Sequence, residues 1–421
     1  MSSAAAKSQR QQLRMKATKR KTPELPSYVV EEHIDNLRAF VKLHKSKRGS
    51  PKMPAGKIRI FADCAGLSSE TIALSLLGLT SEHMEFVGGS ENDSAKRSMM
   101  QAVHKAFDLK TEKKLVEQDI FDRSLTETKS SDVYIAGFPC PAYSSCGRKL
   151  GAKDGQKRGL LIFEGLKYIV YRKPALVILE NVSAFLNKRH ARTHKVMKKC
   201  FAALGYKVYV KKLSTKEHGI PQSRSRCYLV AFRCDQRQKV SFKFPKPLKC
   251  PRLVSFLDSA VKGNEKLPLP TYESKYGSKI WQENLVLDVG ASAGWQSKHS
   301  EHCPCLIRTR CLSKGYYLPK QLRRLSSIEC GRLQGVPGRL VEDLQGFLVK
   351  KGKSADAQAA EKQVMGALGD SMSVNVLMRI LLRALPAAGL WPSSLKRSDP
   401  WSSTSTDELG LLANKLYHNR R

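Results

Sequence analysis

The chain has 421 residues, of which 41% are hydrophobic, and this is typical of a folded protein with more than one small core. Lysine and arginine total 74 against 37 acidic residues, and the net charge of +37 predicts a polyanionic partner, either nucleic acid or an anionic membrane surface. No apolar run reaches the ~20 residues of a membrane-spanning helix, so nucleic acid is the favoured partner.

The N-terminal segment is strongly basic. Residues 1–23 contain no acid, which is typical of a nuclear localisation signal or a nucleic-acid-binding arm. A solvated tail and an organellar transit peptide are the alternatives. We predict that residues 1–55 form a basic disordered arm and that the protein is nuclear, or organellar if the segment is a transit peptide. The odd number of cysteines, 11 without a framework spacing, indicates reduced thiols inside a cell.

From Lys57 onward, short apolar runs alternate with amphipathic stretches. The predicted buried strands are 58–61, 132–137, 175–179 and 228–232. The predicted helices between them are 70–77, 93–107, 160–171 and 193–204. This alternation predicts an α/β fold with a doubly wound, mostly parallel sheet.

The pattern changes after Phe232. Residues 240–325 are rich in Lys, Pro, Gly and Ser, and helical patterns return at 326–345 and 362–386. We predict a main domain at 56–240 that is completed by 326–390. The other predicted parts are a separate region or long insertion at 241–325 and a flexible tail at 391–421.

The turn at 61–69 follows the first predicted strand and precedes a helix. In a doubly wound sheet such a turn lets a ligand approach the backbone at the carboxyl ends of the strands. Glu91 follows a second apolar stretch, where an acid can accept hydrogen bonds from ribose hydroxyls. Only one glycine of the usual Gly-x-Gly is present, so a plain strand-to-helix turn is the alternative.

Cys140 directly follows the predicted strand at 132–137. Because α/β enzymes place their sites at strand carboxyl ends, Cys140 is a candidate nucleophile, with a buried structural thiol as the alternative. A nucleophilic thiolate needs nearby positive charge. The glycine-rich basic segment 147–159 predicts a mobile loop that closes over a nucleic-acid substrate.

Glu180 and Asn181 end the third predicted strand, where a carboxylate is a candidate acid or base. Gln222, Arg224 and Arg226 alternate just before the fourth strand and are predicted to share one face. Two buried arginines need anionic partners, so we expect carboxylates or phosphate beside them. An exposed basic strand edge is the alternative.

Together these motifs resemble, in order, those of the DNA cytosine-C5 methyltransferase family. The segments similar to its cofactor-binding motifs are 63–69, Glu91-Asn92-Asp93 and Asp119-Ile120. The segments similar to its catalytic motifs are Pro139-Cys140, Glu180-Asn181-Val182 and Gln222-x-Arg224-x-Arg226. The segments 329–337 and 369–377 resemble the family's last two motifs.

The resemblance implies S-adenosylmethionine as cofactor, a Rossmann-like class I methyltransferase fold, and a small target-recognition domain at 241–325. The residues implied to bind the cofactor are Cys64, Ala65, Gly66, Leu67, Glu91, Asn92, Asp119, Ile120, Pro139, Asp370 and Ser371. No metal is implied. His302, Cys303, Cys305 and Cys311 have a spacing that is atypical of structural zinc.

The resemblance also implies methylation of cytosine C5 in double-stranded DNA. Cys140 would attack C6 of the base and Glu180 would hold N3 and N4. Arg226, with Arg224 and Asn181 near it, would support the base carbonyl and the carboxylate. Because a base inside a duplex cannot reach such a pocket, the target cytosine would be flipped out.

This chain departs from the family pattern at several site positions. Ser68 and Ser69 stand where the family has cofactor-loop glycines, and Asp63 lies one place from the usual acid. Pro141 stands where the family usually has Gln, and Asp370 stands where it has the terminal Asn. Two other functions are open alternatives. One is C5 methylation of tRNA by the RNA-directed branch of the family, whose Cys-Phe-Thr signature we do not find in the target region. The other is a catalytically weak nucleic-acid-binding homologue.

Overall fold

The structure is a computed structural model, and it describes most of the chain. The described residues are 24–45, 56–110, 119–144, 150–234, 241–258, 260–291, 298–313 and 315–419. At Cys140, Thr271, Lys298 and His299 the description covers the backbone alone.

A central sheet organises the fold. Its strands within the described residues are β1 (Ile58–Asp63), β2 (Met84–Ser90), β3 (Val133–Gly137), β4 (Leu176–Val182) and β5 (Tyr206–Ser214), followed after a short β6 (Gln222–Ser223) by β7 (Ser225–Arg233). The strand order is β2-β1-β3-β4-β7-β5. β1 to β4 are parallel, and β7 runs antiparallel to both β4 and β5. The predicted α/β fold with a mostly parallel sheet is confirmed.

Helices cover both faces of this sheet, which explains why its strands are continuous apolar runs. α1 (Ser27–His44), α4 (Leu161–Arg172) and α5 (Ala191–Ala203) pack on one face. α2 (Ser69–Leu76) and α3 (Ser94–Ala106) pack on the other. α3 begins at Asp93, whose side chain accepts hydrogen bonds from the backbone N–H groups of Ala95 and Lys96.

Residues 241–325 contribute a second, smaller sheet. Its order is β12-β11-β8-β9, from β8 (Val286–Leu287), β9 (Lys298–His299), β11 (Tyr317–Leu318) and β12 (Arg323–Arg324). A local apolar cluster that includes Tyr272 of α6 (Pro270–Tyr276) lies under it. The region is tied back to the main domain because β10 (Cys303–Pro304) forms a separate two-stranded sheet with β6, which comes just before β7. α7 (Arg308–Cys311) follows directly. Its role in target recognition stays a prediction.

Four longer helices complete the main core, where two continuous patterns were predicted. They are α8 (Ser327–Gln334), α9 (Gly338–Lys350), α10 (Ala357–Asp370) and α11 (Val374–Ala387). Gly335, with φ of 77°, and Pro337 separate α8 from α9. Among the described residues no single helix is long and apolar enough to span a membrane. α10 and α11 meet that criterion only as a pair bent by 45°.

The predicted disordered arm at 1–55 and flexible tail at 391–421 are both wrong in part. Residues Ser27–His44 form an 18-residue helix, because Val30, Ile34 and Leu37 make an apolar stripe that packs into the core. The tail forms α12 (Pro400–Ser403) and α13 (Leu409–His418). It docks through Trp401 and Tyr417, which are fully buried.

Candidate active site

A cavity of about 670 Å³ opens at the carboxyl ends of β1 to β4. Most of the predicted site residues line it together. They are Cys64, Ala65, Gly66, Glu91, Asn92, Asp119, Ile120, Pro139, Glu180, Arg224, Arg226, Asp370 and Ser371. Parallel strands end at one edge of a sheet, so residues far apart in sequence meet here.

The turn after β1 forms the cofactor side of the cavity. Gly66 has φ of 55°, a left-handed conformation that glycine adopts at no steric cost. Its backbone N–H donates to Glu91 Oε2 at 2.9 Å, and the N–H of Asp93 donates to Oε1 at 3.0 Å. The end of β2 thereby fixes the Glu91 carboxylate against the turn. Each of its oxygens retains acceptor capacity for a ligand hydroxyl.

The lining residues fit the cofactor that the resemblance implies. Glu91 and Asp119 supply acceptors of the kind that ribose hydroxyls and an adenine amino group need. Ile120, Phe121 and Phe138 supply apolar surface for a flat ring. Leu67, also predicted to bind the cofactor, has a fully buried side chain in the core beneath the turn and is not part of the cavity wall. The prediction for Leu67 is therefore wrong for its side chain.

Glu180 and Arg226 form the catalytic side of the cavity. Arg226 Nε lies 3.2 Å from Glu180 Oε1, and both side chains are about one-tenth exposed. β7 runs antiparallel to β4, and Arg226 pairs there with Val182, two residues beyond Glu180. Burial raises the pKa of the Glu180 carboxyl, and Arg226 and Arg224 offset this only in part. A carboxyl of this kind can hold a proton that it shares with a bound ligand.

Arg224 has a different environment from the one predicted. Its guanidinium donates to backbone carbonyls, at 2.7 Å from Leu306 O and 2.6 Å from Ser371 O. It also donates to Gly369 O at 3.2 Å. The expected carboxylate or phosphate partner is replaced by carbonyls from the region after β10 and from the end of α10. Arg224 thus joins three segments of the chain that surround the cavity.

Asn181 also differs from its prediction. Its side chain turns onto the backbone, where Nδ2 donates to Phe138 O at 3.3 Å and Oδ1 accepts from the N–H of Val182 at 2.8 Å. It is buried and does not line the cavity. The Asn181 side chain thereby connects the end of β4 to Phe138, which follows β3 and comes two residues before Cys140.

The candidate nucleophile begins a short 3₁₀ turn, Cys140–Ala142. The Cys140 side chain lies outside the described part of the structure. Its neighbours Pro139 and Pro141 both line the cavity, so the backbone places this position at the cavity wall. Pro141, the departure from the family pattern, is the second residue of the turn and has a fixed φ there.

Cys305 does not line the cavity, but it contacts two arginines that do, and nothing in the sequence indicates this position. Its Sγ lies 3.7 Å from Arg224 Nη1 and 3.7 Å from Arg226 Nη2. Burial opposes ionisation of this thiol, but Arg226 and Arg224 outweigh it and hold the pKa below the ordinary value. The Cys-Pro-Cys spacing points, if anywhere, to a zinc ligand at Cys305. Among the described residues there is no group of three or more side chains arranged to hold a metal ion.

Asp370 lies in an ionic network at the mouth of the cavity. Its Oδ2 accepts from Lys96 Nζ at 2.8 Å and from Arg308 Nη1 at 3.2 Å, and Arg308 Nη2 reaches Asp93 at 3.3 Å. Gly369 permits this approach, because a Cβ there would lie 2.5 Å from the backbone nitrogen of Arg308. The chain therefore pairs the unusual carboxylate with two cations.

Replacing Asp370 with asparagine is expected to weaken binding of S-adenosylmethionine about threefold to tenfold, as suits the loss of an exposed charge pair. Lys96 and Arg308 would then leave excess positive charge beside a sulfonium cofactor. We expect a smaller effect on S-adenosylhomocysteine, which lacks that charge. Titration calorimetry with both compounds would check this. An equal loss for both would contradict the electrostatic explanation.

A buried polar cluster supports the same turn from behind. Ser68 Oγ donates to Glu70 Oε1 at 2.6 Å and lies 3.0 Å from His104 Nε2. Burial raises the pKa of Glu70 to about 7 and lowers that of His104 to about 3. Both side chains are therefore most stable in their neutral forms.

Glu70 is expected to make the protein less stable as pH rises. A carboxyl whose pKa is raised from 4.5 to about 7 contributes stability that is full below pH 4.5 and is lost as pH rises through 7. The free energy of unfolding of Glu70→Gln should therefore rise, relative to that of wild type, by on the order of 2 kcal/mol from pH 5 to pH 8. Urea unfolding at the two pH values measures this. A difference that does not change with pH would refute the ionisation argument.

Comparison with known proteins identifies relatives of the whole central region. The family profile described as C-5 cytosine-specific DNA methylase matches residues 58–384. The Type II methyltransferase M.HaeII of Haemophilus aegyptius is 31% identical over 274 residues, which are 63% of this chain and 82% of that protein. The Type II methyltransferase M.HhaI of Haemophilus parahaemolyticus is 35% identical over 293 residues, 63% of this chain and 79% of that protein.

Solved structures share the fold at lower identity. The crystal structure of S. pombe Dnmt2 methyltransferase superposes with a TM-score of 0.51 at 18% identity, over 78% of this chain and 99% of that one. The crystal structure of a mutant of Spodoptera frugiperda DNMT2 gives a TM-score of 0.52 at 14% identity, over 78% of this chain and 100% of that one. These likenesses support the fold described above.

Proposed function

The chain belongs to the C-5 cytosine-specific DNA methylase family, and we propose that it methylates a flipped cytosine of duplex DNA through a covalent bond to Cys140. Enzymes of this family use S-adenosylmethionine to methylate C5 of cytosine in DNA. The observation that carries the proposal is the Glu180–Arg226 pair at 3.2 Å, which faces the same cavity as the cofactor turn.

The proposed reaction begins at the base. Cytosine C5 is a poor nucleophile, so the ring must first be activated. The Cys140 thiolate forms a bond to C6, and the ring electrons move toward N3 and the base carbonyl. C5 then carries electron density and takes up the methyl group. Loss of the C5 proton to a base and elimination of the thiolate from C6 restore the aromatic ring.

Glu180 and Arg226 act where charge develops in this reaction. A raised pKa makes the Glu180 carboxyl take up a proton more readily, so it can share a proton with N3 while it accepts from the N4 amino group. Arg226 lies beside it and supports both the carboxyl and the base carbonyl. When bound, the cofactor would supply the methyl group as a sulfonium electrophile, and its sulfur would keep the electrons of the broken S–methyl bond as S-adenosylhomocysteine. Arg224 and Asn181 hold the backbone around these groups and need not contact the base.

The position of these groups inside the cavity supports base flipping. A stacked base cannot bring C6 to a nucleophile at the wall of a cavity, so the target nucleotide must rotate out of the duplex at a cost of a few kcal/mol. The net charge of +37 favours this, because phosphate contacts hold the duplex while the base leaves the stack.

The test is trapping with a duplex that contains 5-fluorocytosine, in which the C5 substituent cannot leave as a proton. We expect wild-type protein and S-adenosylmethionine to give a complex that resists denaturing electrophoresis. Cys140→Ser should give none while it retains cofactor binding. The same assay on tRNA containing 5-fluorocytosine separates the two substrate classes.

An adduct that persists in Cys140→Ser would overturn the assignment of the nucleophile. An adduct with tRNA alone would replace duplex DNA as the substrate.

We also propose a nuclear location, from residues 1–23, and a target-recognition role for residues 241–325. The first concerns residues outside the described part of the chain, and a fluorescent fusion with and without residues 1–23 would test it.

A further inference from the structure

Residues 24–45 lie before the region that matches the family profile, and they are connected to the active site through other residues. The family profile begins at residue 58, whereas the described structure begins at Glu24 and includes α1. α1 packs through Val30, Ile34 and Leu37 against the face of the sheet that carries α4 and α5. This packing explains why α1 is folded. It does not explain the contacts of the residues that come before α1 in the chain.

Those contacts are made to residues 153–154, which come just before the cavity-lining residues Gln156, Lys157 and Arg158 in the chain. The N–H of Leu25 donates to Lys153 O at 2.8 Å, and Glu24 forms an antiparallel bridge with Asp154. At the other end of α1, Lys173 Nζ donates to Lys45 O at 3.4 Å. The N-terminal segment is therefore held at both ends, and one end holds residues 153–154.

Asp154 organises the two cations that come next. It is 2% exposed, and its carboxylate binds Arg158 through two oxygens, at 2.9 Å from Nε and 2.7 Å from Nη2. Its backbone carbonyl accepts from the N–H of Lys157 at 2.8 Å. Both Lys157 and Arg158 line the active-site cavity.

Lys157 is held in an unfavourable backbone conformation. Its φ is 59°, in the left-handed region that is unfavourable for a residue with a Cβ. Such strain persists only where surrounding contacts impose it. Here the contacts are the hydrogen bond to Asp154 O and a second one, from the N–H of Leu160 to Lys157 O at 2.9 Å.

We propose that Glu24 and Leu25 are positioning residues, which hold Lys153 and Asp154 so that Lys157 and Arg158 bind a DNA phosphate beside the flipped nucleotide. This inference rests on the proposed function, because it takes duplex DNA as the substrate. Two cations at the wall of a cavity that admits a nucleotide are placed to neutralise its phosphate. The N-terminal segment supports that placement without contacting the substrate itself.

The test compares two truncations of the full-length protein. Removal of residues 1–22 keeps Glu24 and Leu25 and controls for loss of the basic terminus. Removal of residues 1–25 takes them away and leaves all of α1. We expect the longer truncation to raise the KM for duplex DNA about threefold to tenfold over the shorter one. kcat and cofactor affinity should not change. The slope of log KM against log salt should fall by about one, as for one lost phosphate contact.

A second variant connects the effect to Asp154. Asp154→Asn should raise the KM for DNA similarly, and combining it with the longer truncation should add little, because both act through one contact chain. Equal KM values for the two truncations, or a combined effect that is fully additive, would overturn the positioning role. A wild-type protein that methylates no DNA in the same assay would instead overturn the proposed function.

Discussion

Replacing Glu180 with glutamine is expected to lower kcat by about 10²-fold to 10⁴-fold, the range that a positioned acid or base contributes. The side chain keeps its shape, so the cavity should be preserved. The amide cannot give a proton to N3 or carry the charge that pairs with Arg226 at 3.2 Å. Burial raises the pKa of Glu180, and this is the property that the substitution removes.

Single-turnover methyl transfer at saturating cofactor and DNA measures this loss without interference from product release. The matched control is Asp370→Asn, which makes the same carboxylate-to-amide change in the same cavity. That control should lower cofactor affinity and leave the single-turnover rate within about threefold of wild type, since it alters only an exposed ion pair. If both variants lost kcat equally, the special role of Glu180 would be refuted.

Most of the central sheet could be predicted because strands that are buried on both faces are continuous apolar runs, whether they are parallel or antiparallel. β1, β3, β4 and β7 are of this kind, and each was predicted within a few residues. β5 was not, because it is an edge strand in which Lys207, Lys211 and Lys212 are exposed. Charged residues blunt such edges, and they also remove the apolar pattern that a prediction uses.

The two ends of the chain were mispredicted for a compositional reason. Residues 1–23 are so basic that the same interpretation was extended to 55, although Val30, Ile34 and Leu37 repeat at helical spacing. The tail was predicted to be flexible because it is rich in serine, but it contains two large side chains that are buried, Trp401 and Tyr417. A few buried apolar side chains decide whether such a segment docks, and an average over its composition does not detect them.

The site could be predicted to the level of positions but not of contacts. Strand ends locate Glu91, Glu180 and Gly137 at one edge, because parallel strands share their carboxyl ends. Nothing local in the sequence indicates that Arg224 binds the carbonyl of Ser371, 147 residues away, or that Cys305 lies between two arginines. Such contacts depend on how distant segments pack.

A large loss of stability is expected when the buried ion pair beneath the cofactor turn is broken. Arg123 Nη1 lies 2.6 Å from Asp63 Oδ1, and the two side chains are 2% and 0% exposed. Asp63 also accepts from the hydroxyls of Tyr134 at 2.7 Å and Ser90 at 2.8 Å. Asp63 was predicted to belong to the cofactor-binding segment, but its carboxylate faces this network and does not line the cavity.

Arg123→Met is expected to lower the free energy of unfolding by about 3–5 kcal/mol, since it leaves a buried carboxylate without its cation. The Arg123 guanidinium also lies 5.3 Å from the centres of the Phe61 and Tyr168 rings, and methionine retains part of that packing. Urea unfolding measures the loss. Cofactor affinity should fall with it, because Cys64 and Gly66 directly follow Asp63.

The double variant separates charge from packing. Asp63→Asn in the Arg123→Met background removes the unpaired charge, while the amide can still hydrogen-bond to Tyr134 and Ser90. We expect the double variant to be more stable than Arg123→Met alone, because breaking one side of a buried pair costs more than removing both charges. Fully additive losses would mean that Arg123 acts by packing. Recovery of both stability and cofactor affinity would show that a neutral amide in place of the Asp63 carboxylate is sufficient to hold the turn.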